Sequence, residues 1–108
     1  MPYMAYKVYT TPEFDSLLEK LSKPEQERIE KLAKNLANNP YQGKPLGISF
    51  FREKKIDDKR IYYLIYDEYI IVLLVSISDK KTQQKTINEI KINRDIYMEL
   101  AQNISKKN

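Results

Sequence analysis

The chain has 108 residues, 42% of them hydrophobic, with 19 Lys and Arg against 15 Asp and Glu; that length suits one compact domain, residues 1–108, and is short for two. Cysteine and histidine are both absent, which excludes disulfides, thiolate nucleophiles and cysteine zinc sites and removes the commonest metal ligand and proton shuttle. The formal charge of +4 suits a polyanionic partner, and neither the apolar run Ile70 to Val75, far below the roughly 20 residues of a membrane span, nor the start Met1-Pro2-Tyr3 points to a membrane or export, so a cytoplasmic protein is expected.

Tyr6-Lys7-Val8-Tyr9 alternates polar and bulky residues, which predicts a short strand at a sheet edge. Thr10 stands three residues before Glu13 with Pro12 in the first turn, a capping-box start, and Phe14, Leu17, Leu18 and Leu21 then recur at helical spacing. Ser22-Lys23-Pro24-Glu25 repeats the start signal, and Ile29, Leu32, Ala33, Leu36 and Ala37 carry a second stripe until Asn38-Asn39-Pro40 stops it. Two helices so closely joined form a hairpin whose apolar side needs another surface. Tyr41 to Gly47 holds both glycines and a proline, the signature of a loop.

Ile48 to Ile56 predicts a strand with a charged end, Asp57-Asp58 a turn, and Arg60 to Tyr66 a second strand. After Asp67-Glu68, Tyr69 to Ile77 is nearly all bulky, as expected of a strand covered on both faces and central in an antiparallel meander. Beyond Ser78-Asp79, the polar run Lys80 to Lys85 leads into a terminal helix with Ile87, Ile90, Tyr97, Leu100, Ala101 and Ile104 on one side. Ile92 and Ile96 fall toward another side, which means either a break at Asn93 or a second apolar face for a partner. The last third is the basic part, with Lys80, Lys81, Lys85, Lys91, Arg94, Lys106 and Lys107 facing Glu89, Asp95 and Glu99. The expected fold class is α+β, in the order strand, helix, helix, three antiparallel strands, helix.

That order resembles the RelE/ParE superfamily of toxins from type II toxin-antitoxin systems. The residues carrying the likeness are Asn39-Pro40-Tyr41-Gln42-Gly43-Lys44-Pro45-Leu46, then Lys59-Arg60-Ile61-Tyr62-Tyr63 followed by Asp67-Glu68, and the strand Ile70 to Ser78. The resemblance implies a small fold in which a twisted antiparallel sheet packs against an N-terminal helical hairpin, with a C-terminal helix. For the RelE-like branch it implies an endoribonuclease that cuts messenger RNA on the ribosome and so inhibits translation. It further implies no metal and no small-molecule cofactor, and a RelB-like antitoxin whose helix covers the toxin. Cleavage by the 2′-hydroxyl passes through a phosphorane with extra negative charge, which fixed guanidinium and ammonium groups stabilise more than the ground state.

Carried over residue by residue, Arg60 matches the arginine opening the Arg-x-x-Tyr strand, and Lys80, with Lys81 beside it, falls where RelE-like toxins carry a second arginine. Arg52, Lys54 and Lys55 lie on the strand where such toxins place lysines near the nucleophile. Period two sets Arg52 and Lys54 on one face and Glu53 and Lys55 on the other, and Arg52 and Lys54 are favoured as the catalytic pair pointing into the cleft. Lys55, Lys59, Lys85, Thr86 and Tyr63 complete the expected RNA-contacting surface. Thr86 is a departure, since it stands where a tyrosine is expected and cannot stack on a base. Tyr62, Tyr63 or Tyr97 would have to supply that contact. The bland reading of Arg60 is a surface arginine paired with Asp57 or Asp58. The alternatives are a ParE-like protein that binds DNA gyrase without chemistry, and a decayed toxin acting as a nucleic-acid- or partner-binding module.

Overall fold

The computed structural model describes residues 5–107; the start Met1-Pro2-Tyr3 and the final Asn108 lie outside the described residues. In chain order the elements are β1 (Lys7–Thr10), α1 (Pro12–Glu19), α2 (Lys23–Asn38), a 3-10 turn (Pro40–Gln42), β2 (Lys44–Pro45), β3 (Phe51–Ile56), β4 (Lys59–Tyr66), β5 (Ile71–Ser78), α3 (Gln83–Ile92) and α4 (Arg94–Lys107). The strands form one five-stranded sheet in the order β1-β5-β4-β3-β2, so the α+β class and the helical hairpin are as expected. The sheet is mixed, and this corrects the expected all-antiparallel one: β1 pairs with β5 in parallel, Lys7 opposite Ile71 through Thr10 opposite Leu74. A period-two pattern identifies a strand and says nothing of its neighbour's direction. β1 does lie at an edge, while β5 is interior and β4, not β5, is the middle strand.

Pairing with β5 also moves the first helix cap. Thr10 is held in the strand, and Thr11 caps α1, its hydroxyl accepting the N–H of Phe14 at 3.1 Å. Ser22 and Glu25 form the expected capping box at the start of α2. Two other boundaries differ from expectation. Lys44–Pro45, read as loop, adds a two-residue edge strand against β3, and β3 itself begins at Phe51 because the chain still turns at Ser49 and Phe50. The terminal helix breaks at Asn93, and Ile92 and Ile96 are also left 81% and 64% exposed.

Both sheet faces are covered. On one, Phe14, Ile29, Leu32 and Leu36 of the hairpin pack on Ile61, Tyr63, Ile65, Val72, Leu74 and Ile77. On the other, Ile87, Ile90 and Ala101 pack on Phe51, Tyr62, Leu64, Tyr66, Leu73 and Val75. A bulge at Val75 keeps the far ends of the strands in phase, since Tyr62 pairs with Ser76 while Tyr63 pairs with Leu74. Without that extra residue Ile77 would leave the hairpin core and Ser76 and Ser78 would enter it.

The long crossing from α2 to β3 is locked by side chains. The Tyr63 hydroxyl donates to the Pro40 carbonyl at 2.8 Å and accepts the Gly43 N–H at 3.0 Å. Arg52 donates from Nε to the Ser49 carbonyl and from Nη1 to the Gly43 and Tyr41 carbonyls, with its guanidinium 5.0 Å from the Tyr41 ring centre. Asp67 in the β4–β5 turn accepts the Tyr6 and Tyr41 hydroxyls at 2.6 Å each. A Cβ on Gly43 would lie 2.6 Å from the Tyr63 hydroxyl and 2.8 Å from the Glu53 carbonyl oxygen. Gly43→Ala is therefore expected to destabilise the protein by about 1–3 kcal/mol, read as a lower urea midpoint; an unchanged midpoint would show that the loop yields freely.

The same clamp makes stability sensitive to high pH. The bond to Asp67, then burial, pushes the Tyr6 phenol up to about 12, and burial, then the same carboxylate, does so for Tyr41. A raised phenol stabilises the fold fully below the ordinary value near 10, and that contribution is lost as pH rises through about 12. Replacing both tyrosines by Phe is expected to flatten the fall in denaturation midpoint across that window. A fall as steep as in the parent protein would place the titrating groups elsewhere.

Candidate functional site

Where β4 begins and β5 ends, the face that carries α3 turns polar. Arg60 lies opposite Ser78 on one side and Lys55 on the other. Glu53, two residues before Lys55, shares this face by alternation and lies opposite Tyr62. Its carboxylate is 4.0 Å from Arg60 Nε and accepts the Gln83 side-chain amide at 2.8 Å. The two charged side chains are only 9% and 13% exposed. The Tyr62 and Ser78 hydroxyls are 2.8 Å apart. Burial, with the Glu53 charge adding to it, pushes the Tyr62 phenol up to about 12 while the bond to Ser78 opposes the rise, so Tyr62 stays neutral at physiological pH.

Exposed lysines lie on the strand and the turn next to this cluster in the chain. Lys55 is exposed directly across from Arg60, an arrangement of like charges that costs a few tenths of a kcal/mol or more in a sheet unless an anion lies between them. Lys80 and Lys81 are exposed in the turn that follows Ser78, and Lys85 is exposed on the first turn of α3. The turn is held by Asp79, whose carboxylate accepts the Thr82 N–H and hydroxyl at 3.0 Å each. These bonds, backbone first, hold the Asp79 carboxyl below its usual range.

The geometry sorts the residues singled out in the sequence. Arg60 and Lys55 share one end of the α3 face, and Lys80, Lys81 and Lys85 follow in the turn after β5 and the first turn of α3. Arg52 and Lys54 do not join them: they sit opposite Tyr63 and Ile61, on the hairpin face. The alternation was legible, but which set faced Arg60 depended on a pairing register that only the structure gives. Arg52 is moreover consumed by three backbone carbonyls and a ring. Lys59 turns toward α1, lining a hollow with Leu17, Lys20 and Asp79. Tyr62 and Tyr63 are 0% exposed, so neither can meet a base, and Tyr63 belongs to the core and the loop lock. Thr86 is half-buried in a small polar cleft with Ser76, Glu89 and Tyr97. Arg60 pairs with neither neighbouring aspartate, since Asp57 binds Arg28 and Asp58 binds Lys59.

Glu53 and Gln83 are the members that sequence reasoning missed. A signal was present in Glu53 as the lone carboxylate of the run Arg52 to Lys55. Nothing in the pattern, however, put it beside Arg60. The cluster thus pairs a fixed cation with a sheltered carboxylate, the two groups a phosphodiester transfer uses for charge stabilisation and proton removal. Glu53→Gln preserves shape but leaves a mostly buried guanidinium without its counter-charge. A loss of about 1–3 kcal/mol is expected in chemical denaturation, and a neutral outcome would mean that the pair is solvated and contributes little to order at the site.

A family model described as the ParE toxin of the type II toxin-antitoxin system parDE matches residues 8–83, a span that includes Glu53, Arg60, Tyr62, Ser78 and Gln83. No curated protein matches the chain. Among solved structures it is similar to the RelBE2 toxin-antitoxin complex of Mycobacterium tuberculosis, at 23% identity over 73% of this chain and 95% of that one, with a TM-score of 0.64. It is also similar to a doubly substituted RelE toxin of E. coli in the free state, at 19% identity over 81% and 99% of the two chains and a TM-score of 0.67. An archaeal RelE–RelB complex from Pyrococcus horikoshii matches at 16% identity over 71% and 97%, with a TM-score of 0.63. At such identities the likeness speaks to the fold, which is that of RelE. With the family model covering the greater part of the sequence, the chain belongs to the ParE toxin family and is the toxin of a type II toxin-antitoxin system.

Proposed function

We propose that this toxin cuts messenger RNA on the ribosome at the Glu53–Arg60 cluster. The observation that carries the reading is the sheltered carboxylate–guanidinium pair, with Gln83 holding the carboxylate in place, Lys55 across from Arg60, and exposed Lys80, Lys81 and Lys85 in the segment that follows β5. Glu53 takes the proton of a ribose 2′-hydroxyl, whose oxygen forms the new bond to phosphorus. The bond from phosphorus to the 5′-oxygen breaks, and a proton from Lys80 or Lys81 passes to that leaving oxygen. Arg60, released from Glu53 by the incoming phosphate, binds the phosphorane, where a planar fork of donors is worth more than in the ground state. Lys55 and Lys85 hold neighbouring phosphates. Messages then end in 2′,3′-cyclic phosphates.

A cognate RelB-like antitoxin belongs to the same reading. Similar folds have been solved as complexes with RelB, and an acidic segment laid over these lysines would neutralise them while a helix covers Ile92 and Ile96. A second reading, a ParE-like protein that binds DNA gyrase, has one observation in its favour. Tyr62 and Tyr63, which stand nearest Arg60 in the sequence, are fully buried, and Thr86 offers no ring, which leaves only the half-buried Tyr97 beside Thr86 for the base stacking common in RNA sites.

Incubation with translating ribosomes separates the two. Cleaved messages with cyclic phosphate ends are expected, with Arg60→Ala and Glu53→Gln each slowing single-turnover cleavage about 100-fold or more. Intact messages at stoichiometric toxin, together with blocked supercoiling in a gyrase assay, would replace the nuclease by the second reading.

A further inference from the structure

β4 ends at Tyr66, roughly 20 Å from Arg60 at the strand's rise per residue, and beside that end lies a separate concavity. Its volume is about 250 Å³, and its walls include Tyr41, Phe50, Tyr66, Tyr69 and Met98 together with Asp67 and Glu68. Aromatic faces and a thioether flanked by carboxylates form an environment for a cation, which ring quadrupoles and acidic charge attract together. The acidic character stands out in a chain of net charge +4. Among the described residues the ion pairs engage Asp57, Asp58 and Glu53; Asp67 bonds two neutral phenols, and Glu68 is exposed in the turn.

Two features distinguish the chain around this concavity. The Tyr66 hydroxyl is the one buried side-chain polar atom without a hydrogen-bond partner among the described residues, a deficit of about 1–3 kcal/mol. In the adjoining turn Ile70 holds φ at 55°, a left-handed conformation that a β-branched residue adopts at a cost of about 1–3 kcal/mol. It is kept there by the Ile70 N–H donating to the Asp67 carbonyl and by the Lys7 N–H donating to the Ile70 carbonyl. The Tyr41 ring already carries the chain's own Arg52 guanidinium, so a planar cation fits such a ring, and Phe50 and Tyr69 are the half-buried aromatic walls left for an incoming one.

We propose that this pocket is a socket for an arginine side chain presented by a partner polypeptide, its guanidinium stacked on the aromatic walls and bonded to Glu68 and Asp67. An apolar side chain would strip water from two carboxylates and give nothing in return. An ammonium group is more strongly hydrated and has no plane to stack. A nucleic-acid phosphate would be repelled. The inference is independent of what happens at Arg60.

The test is an NMR titration of the intact protein with a blocked Gly-Arg-Gly peptide, against blocked Gly-Gln-Gly. Saturable shifts at Glu68, Tyr69 and Met98 are expected with the arginine peptide alone, and Glu68→Gln and Tyr69→Ala should each weaken binding about fivefold. Glu68 is exposed, so a thermal midpoint matching the parent's is expected for that variant and keeps the result interpretable if Tyr69→Ala does not fold. No saturable shift, equal binding of the glutamine peptide, or undiminished affinity in folded Glu68→Gln would each overturn the proposal.

Discussion

Strand β4 is covered by helices on both faces, and this commits every side chain from Ile61 to Tyr66 to one core layer or the other. A charge can enter such a strand only at its ends. Arg60 does so at the first position where the covering helices thin out, and it stays mostly buried because Glu53 on β3 meets it across the sheet. The candidate site follows from that constraint: a cation that cannot be fully hydrated favours an anion, and the carboxylate beside it is held by Gln83 rather than left to rotate in water. The flanking lysines are exposed and add field rather than precision.

The rest of the sheet keeps this end in register. The bulge at Val75 aims Ser76 and Ser78 at the α3 face while returning Ile77 to the hairpin core, so Tyr62 meets Ser78 at the site and Tyr63 is buried away from it. Tyr63 in turn depends on Gly43, which alone leaves room for its hydroxyl. The loop from Pro40 to Ser49 is therefore rigid at its start, tied by Tyr63, Arg52 and the Asp67 clamp, and it carries β3, with Glu53, to β4.

Much of the fold was legible in the sequence, because caps and apolar spacing are local. Ser22 with Glu25, the stripe of Ile29, Leu32 and Leu36, the Asp57-Asp58 turn and the unbroken run of β5 each announce themselves within a few residues. What was not legible depends on pairing. The parallel neighbour of β1 and the shift of the first cap from Thr10 to Thr11 arise from hydrogen bonds to chain some 64 residues away, and the added strand Lys44–Pro45 from pairing with β3 across the intervening turn. The site shows the same division. Arg60 and the lysine turn are candidates that the Arg-x-x-Tyr strand and the polar run already offer, whereas Glu53 and Gln83 become candidates only when β3 is laid against β4 and α3. The same register carried Arg52 and Lys54 to the opposite face.

The central claim is that one face of the sheet, with Arg60 and Glu53 together, receives the scissile phosphate. The most direct measurement is a structure of the toxin on a ribosome carrying a message whose 2′-oxygen is methylated, so that no transfer can occur. The account predicts the Arg60 guanidinium on the scissile phosphate and the Glu53 carboxylate within hydrogen-bond distance of the 2′-oxygen. A phosphate seated on the hairpin face beside Lys54, or a message that passes the cluster without touching it, would contradict it.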